Sequence, residues 1–189
     1  LVTECMGGVK VAYGFVKDCL LKGKSVATSN KELVAQKGAE LLSIAKEKNC
    51  NFFFEASVGG AIPIIRPMHQ CLAANEITAV AGILNGTTNF ILTKMIEENM
   101  KFSDALSMAQ KLGYAEADPT ADVEGLDACR KICILSSLAF GKHVYPDNVH
   151  TEGISAITPR DIKDAEKWGG AVKLIGTVRK LSDGKIMPY

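Results

Sequence analysis

Ser25-Val-Ala-Thr-Ser-Asn-Lys-Glu-Leu-Val34 carries a short β-rich run directly into a helical pattern, and the same change of period recurs on either side of it. Upstream, Leu1-Val-Thr-Glu4 reads as the end of a strand. Gly7-Gly8 introduces a helix running to about Lys22, where Gly23 supplies a left-handed stop. Downstream, a second helix spans about Lys31 to Lys48, with Leu33, Val34, Leu41, Leu42 and Ala45 marking its buried side. Cys50 to Glu55 returns as an apolar strand. Alternating β-α-β-α-β implies parallel strands under covering helices, so the expected fold class is α/β with part of a doubly wound parallel sheet.

A Gly-x-Gly-x-x-Gly turn, which would seat a pyrophosphate on a helix N-terminus, appears nowhere in the chain. Because a strand is already under way at Leu1, truncation is the simplest account, and the half-site would lie outside these residues. A domain that never bound a dinucleotide is the rival account. From Leu1 to Glu55 alone, both stay open.

After Glu55 the pattern becomes α+β. Pro63 and Pro67 bracket the entry to a helix reaching about Asn75, and Ile77 to Leu84 reads as a strand ending at the turn dipeptide Asn85-Gly86. Thr87 or Thr88 is a candidate cap for a helix to about Glu98, and Ser103 for a short helix to Leu112. An acidic loop opening at Gly113 and a long helix to about Gly141 follow. His150 to Ile157 is a strand or an extended loop. Pro159 opens a helix to Lys167, and Lys173 to Leu181 turns at Asp183-Gly184 into a hairpin. The expected domains are therefore 1–56, the later part of a dinucleotide-binding domain, and 57–189, a catalytic, substrate-binding and dimerisation domain, both cut short.

With 189 residues, 47% apolar, the chain can bury a sizeable core. Its 22 basic and 21 acidic residues nearly cancel, so no broad attraction to nucleic acid or an anionic membrane is expected, and the balance suits an enzyme acting on small molecules. No basic n-region or bilayer-length apolar run is present, which implies a soluble cytoplasmic protein. The six cysteines lack C-x-x-C spacing and the three histidines lie far from Cys129 and Cys133, so buried reduced thiols are expected rather than a metal cluster or disulfides.

The chemistry concentrates in Gly113-Tyr-Ala-Glu-Ala-Asp-Pro-Thr-Ala-Asp-Val-Glu-Gly-Leu-Asp-Ala-Cys-Arg-Lys131, an acidic loop running into a helix. Asp127 and Lys131 stand four residues apart, on one helical face that continues through Ile134 and Leu138 into expected core. An amine at such a border has a tunable pKa and can donate or accept a proton at an oxygen whose charge changes. A purely structural ion pair is the competing reading. Glu116, on a loop shaped by Gly113 and Pro119, is a presented acid suited to a cationic ligand, or a solvated one. Asp122 is a plausible N-cap.

This segment resembles the homoserine dehydrogenase signature, Gly-Tyr-x-Glu-x-Asp-Pro-x-x-Asp running into Gly-x-Asp-x-x-x-Lys. Glu55-Ala-Ser-Val-Gly-Gly-Ala-Ile-Pro-Ile-Ile65 and Gly82-Ile-Leu-Asn-Gly-Thr-Thr-Asn-Phe-Ile-Leu92 resemble two further stretches of that family, in the right order. The resemblance runs from Leu1 to about Lys180 and implies a Rossmann-like front part and an internal fragment, inactive in isolation. It implies interconversion of L-homoserine and L-aspartate 4-semialdehyde with NADP or NAD, in threonine, methionine and isoleucine biosynthesis, by a homodimer.

Carried over residue by residue, the resemblance makes Lys131 the proton donor and acceptor, with Asp127 as its partner. It places Glu116, Lys31 and Asp122 on the substrate side and Lys31 and Met6 on the cofactor side. Main-chain oxygens of Glu55, Val58, Gly60 and Ile62 would hold a structural sodium ion. Ala61 stands where relatives commonly have Gly, which puts the local geometry there in doubt; a plain hinge is the alternative. Two other functions stay in view: a non-catalytic dimerising or structural segment, and a related aldehyde reductase with another substrate.

Overall fold

A computed structural model describes residues 1–189. In chain order the elements are β1 (Val2–Glu4), α1 (Lys10–Leu21), β2 (Val26–Thr28), α2 (Lys31–Glu47), β3 (Phe52–Phe53), α3 (Ile65–Gln70), β4 (Ala79–Gly82), α4 (Gly86–Glu97), α5 (Phe102–Lys111), α6 (Thr120–Val123), α7 (Leu126–Phe140), α8 (Pro159–Lys167), β5 (Gly176–Lys180) and β6 (Ile186–Pro188). Strands β1, β2 and β3 form a parallel sheet in that order, with Val2 opposite Val26 and Val26 opposite Phe52. The second sheet has the order β4-β5-β6, and β5 and β6 make the antiparallel hairpin expected from Asp183-Gly184. The α/β class and the α+β continuation are as the sequence implies. No helix is long and apolar enough to cross a membrane.

Two compact units are present: Leu1–Val80 with Arg130–Val149 and Val178–Pro188, and Ala81–Cys129 with His150–Thr177 and Tyr189. In the first, Ala12, Val16 and Leu20 recur every four residues along α1, and Leu33, Val34, Leu41 and Ala45 line the buried side of α2. That spacing is the period of one helical face, which is why α1 and α2 pack on one another. Leu42, expected inside, is instead exposed: it falls about 100° round the helix from Leu41.

The second unit is centred on Ile91, Leu92 and Met95 of α4, packed with Ala105 and Ala109 of α5, Val123 of α6 and Ile162 of α8. The small alanines let α5 approach closely. Helix α8 starts as predicted at Pro159, and Thr158 and Asp161 close a reciprocal capping box ahead of it.

Several local expectations change. Lys101, with no side-chain cap, precedes α5, so Ser103 lies inside the helix. Helix α3 stops at Gln70 rather than near Asn75, and β4 is four residues rather than eight. Of the strand or extended loop expected at 150–157, the loop is what forms. All six thiols are free, but only Cys129 and Cys133 are buried, while Cys5 and Cys71 are exposed. An apolar sequence neighbourhood does not settle which way a small side chain faces.

Leu41 is fully buried between α2 and its surroundings. Leu41→Ala is expected to lower unfolding free energy by about 2–5 kcal/mol through lost transfer energy and a cavity, read from urea denaturation of the chain.

Candidate active site

Helix α4 begins with a side chain that does more than terminate a strand. Asn85 is its N-cap: Oδ1 accepts from the Thr88 amide at 2.8 Å and from Thr88 Oγ1 at 3.0 Å. The cap is therefore Asn85 rather than Thr87 or Thr88. Its Nδ2 donates to Asp122 Oδ1 at 2.7 Å and to Asp127 Oδ2 at 3.0 Å. One amide thus satisfies the helix end and bridges two acids. Asn85 is 5% exposed and Asp127 2%, so the bond between them forms where water cannot replace it, while Asp122 is half-buried.

Asp122 is not an N-cap. It sits inside α6, a single turn absent from the sequence reading, whose N-cap is Pro119. Asp118 governs that entry instead, accepting from the Thr120 hydroxyl at 2.6 Å and the Thr120 amide at 3.1 Å; the hydroxyl bond first, then the amide, holds its carboxyl below the usual range.

Glu116 is exposed on the loop before α6. The loop is fixed around it through its backbone: Gln110 Nε2 donates to the Glu116 carbonyl at 3.1 Å, and Thr87 Oγ1 donates to the Tyr114 carbonyl at 2.8 Å. The Tyr114 ring lies 4.8 Å from that of Phe90. The acid is free to meet a ligand while its main chain is held.

Two glycines lock this loop to the 150s segment. Gly125 has φ +77°, and a side chain there would strike the Glu152 carbonyl; one at Gly153 would run into the Val123 carbonyl and the Glu124 backbone. Ile154 completes the junction by donating its amide to the Val123 carbonyl at 2.7 Å.

Helix α7 carries Asp127 and Lys131 one turn apart, as their spacing predicts, and Ile134 continues the buried side. Leu138, further along, is exposed, contrary to expectation. The lysine is half-buried.

Within the first unit, Lys31 is the first residue of α2, behind its N-cap Asn30. Arg130, beside Lys131, pairs with Glu32, beside Lys31, at 3.2 Å. Sequence reasoning missed this pair because its members are 98 residues apart. Met6 is exposed in the turn after β1, and its amide donates to Glu4 Oε1 at 2.6 Å. Gly7 and Gly8 face open space, so backbone is presented at the carboxyl edge of the parallel strands, where ligands bind in open α/β sheets.

The Glu55 to Ile62 segment is a tight turn. Glu55 sends its carboxylate forward to accept from the amides of Ile64, Ile65 and Arg66 at 2.6, 2.8 and 2.8 Å, capping α3. Burial pushes its pKa up, but the three amides outweigh this and hold it below the ordinary carboxylate value. A depressed pKa contributes stability above the unfolded value that is lost as pH falls through the folded one, so this cap weakens in acid. Ala61 adopts φ +59°, a conformation suited to glycine. No group of three or more His, Cys, Asp or Glu side chains is placed to hold a metal ion.

A parallel three-stranded sheet with an open carboxyl edge, followed by an α+β part bearing an acidic loop, defines a Rossmann-like α/β protein. The family profile described as the homoserine dehydrogenase NAD-binding domain matches residues 1–55, and that of homoserine dehydrogenase matches 63–188. The homoserine dehydrogenase of Bacillus subtilis (strain 168) is 49% identical over 180 residues, 95% of this chain and 42% of that protein. A crystal structure of a homoserine dehydrogenase from Thiobacillus denitrificans superposes with a TM-score of 0.95 at 44% identity, over 100% of this chain and 44% of that one. A hyperthermophilic archaeal homoserine dehydrogenase, solved in complex with NADPH, gives 0.82 at 32% identity, over 99% and 54%. The chain belongs to the homoserine dehydrogenase family and spans about two-fifths of the length of the curated relatives it matches.

Asn85→Ala is expected to cost about 2–4 kcal/mol, combining a lost cap with a buried acid deprived of its donor. Asn85→Asp should cost at least as much, because it puts a third carboxylate beside two others. Thermal unfolding of both variants checks the order.

Proposed function

We propose that these residues form the central part of a homoserine dehydrogenase that interconverts L-homoserine and L-aspartate 4-semialdehyde with NADP or NAD, acting as a cytoplasmic homodimer. The observation that carries the reading is α7, which presents Lys131 half-buried one turn beyond the buried Asp127 in a segment matching the family signature. The comparisons favour it over a structural segment or an aldehyde reductase with another substrate. The domain boundary near residue 56 is part of the proposal, supported by the separate matches over 1–55 and 63–188.

Hydride exchange with carbon is the chemistry a bound nicotinamide dinucleotide supplies. The chain's own part is proton handling and positioning. As the aldehyde is reduced, negative charge builds on its oxygen; the Lys131 ammonium stabilises that oxygen and delivers the proton, and in the reverse direction the neutral amine takes the hydroxyl proton. Asp127 orients the amine, itself held by Asn85. Glu116 binds the substrate ammonium, and Asp122, kept in place by the same amide, adds negative potential on that side. Lys31 and Met6 serve the dinucleotide at the carboxyl edge of β1 and β2, with Lys31 also reaching the substrate.

Lys131→Ala in the uninterrupted polypeptide is expected to lose at least a hundredfold in kcat while remaining folded, Asp127→Asn to lose less, and Glu116→Gln to raise the homoserine KM with little change in kcat. Near-normal turnover of Lys131→Ala in a homoserine-dependent nicotinamide reduction assay would remove Lys131 from its role.

Main-chain oxygens of Glu55, Val58, Gly60 and Ile62 are proposed to hold sodium. The support is the turn itself, where Gly59 has no room for a side chain against the Ile62 carbonyl and Ala61 accepts a left-handed backbone. Replacing sodium by choline at constant ionic strength should lower the melting temperature by a few degrees, and an identical melt in both salts would contradict a bound ion.

A further inference from the structure

We infer that Glu4 is a positioning residue for the dinucleotide edge: its buried carboxylate clamps the turn bearing Met6 to the N-cap that starts the Lys31 helix. This rests on the proposed dehydrogenase reading and adds to it a residue with no counterpart among the signature motifs.

Glu4 is the last residue of β1 and is 4% exposed. Such an acid is disfavoured in the interior unless its oxygens are satisfied, and both are. Oε1 accepts from the Met6 amide at 2.6 Å, and Oε2 accepts from Thr28 Oγ1 at 2.5 Å. Thr28 Oγ1 in turn accepts from the Asn30 amide at 2.9 Å, so the hydroxyl proton is directed to Glu4.

Asn30 closes the ring. Its Oδ1 caps α2 through the Leu33 amide at 3.0 Å, and its Nδ2 donates to the Gly8 carbonyl at 2.6 Å and more weakly to that of Met6 at 3.4 Å. The turns after two neighbouring parallel strands are thereby fixed to each other through side chains, at the sheet edge where a ligand sits.

The residue types at these positions are constrained. Met6 N–H and Thr28 O–H are both donors, so the group between them must accept twice. A carboxylate does so, whereas a glutamine of the same shape turns an N–H₂ toward one of the donors. With that partner wrong, the Cys5 to Gly8 turn and the start of α2 are no longer held in one register. The loss falls on whatever binds across both turns and leaves the acidic loop of the other unit untouched.

The test is direct binding of NADP and NADPH, followed by tryptophan fluorescence and calorimetry, to the uninterrupted polypeptide and to Glu4→Gln, Thr28→Val and Thr28→Ser. Glu4→Gln is expected to raise the dinucleotide Kd about tenfold, or about 1.4 kcal/mol, with the homoserine KM at saturating cofactor rising far less, through Lys31 alone, because the Glu116 loop is untouched. Thr28→Val keeps the buried shape without the hydroxyl, and should weaken binding at least fivefold more than Thr28→Ser, so the inference stands or falls on this pair if Glu4→Gln does not fold.

Unchanged Kd in folded Glu4→Gln, or equal Kd for the two Thr28 variants, overturns the positioning role while leaving the dehydrogenase reading intact. So does a homoserine KM that rises in step with the dinucleotide Kd, since that marks general loosening. Absence of dinucleotide binding to the unaltered protein overturns both.

Discussion

A buried carboxylate beside a half-buried one repels it and resists dehydration unless a donor stands between them, and here that donor is the side-chain amide of Asn85. Its two N–H groups face Asp122 and Asp127 while its oxygen holds the first turn of α4. The position of α4 and the orientation of the acid before the proposed catalytic lysine are therefore set by the same side chain. Because the acids lie on α6 and α7 and the amide at the foot of α4, three helices are referred to one point. Charge, capping and packing converge there, and none is adjustable without the others.

The first unit solves a comparable problem by different means. Parallel strands leave their carboxyl-edge turns without a ladder to hold them. Glu4, Thr28 and Asn30 supply side-chain bonds in place of that missing backbone pairing. A few residues along α2, Glu32 meets Arg130 and ties the helix bearing Lys31 to the one bearing Lys131. At about a quarter to a third exposure this ion pair adds little stability, and its value is geometric.

The elements legible in the sequence were those with a repeating signal. The period of α1 and α2, the β-α-β-α-β alternation, the Pro159 helix start and the Asp183-Gly184 hairpin all follow from local chemistry, and the four-residue spacing of Asp127 and Lys131 survives intact on α7. What did not show is what depends on distant partners. Asn85 read as a turn because Asn-Gly usually is one, and only the acids 37 and 42 residues later reveal it as a bridge. Ser103 has the chemistry of a cap, yet the chain enters α5 two residues earlier. Glu4 was invisible for the same reason: a lone acid at a strand end carries no pattern, and its meaning comes from Thr28 on the neighbouring strand.

The paired glycines at 125 and 153 bear on how this protein can change over time. At each, the opposing main chain occupies the space a methyl group would need, so neither position can be relieved by altering a neighbour's side chain. Backbone against backbone admits no compensating substitution. The two sites are thus frozen jointly, and any change in the acidic loop must be made around an immovable crossing of the chain.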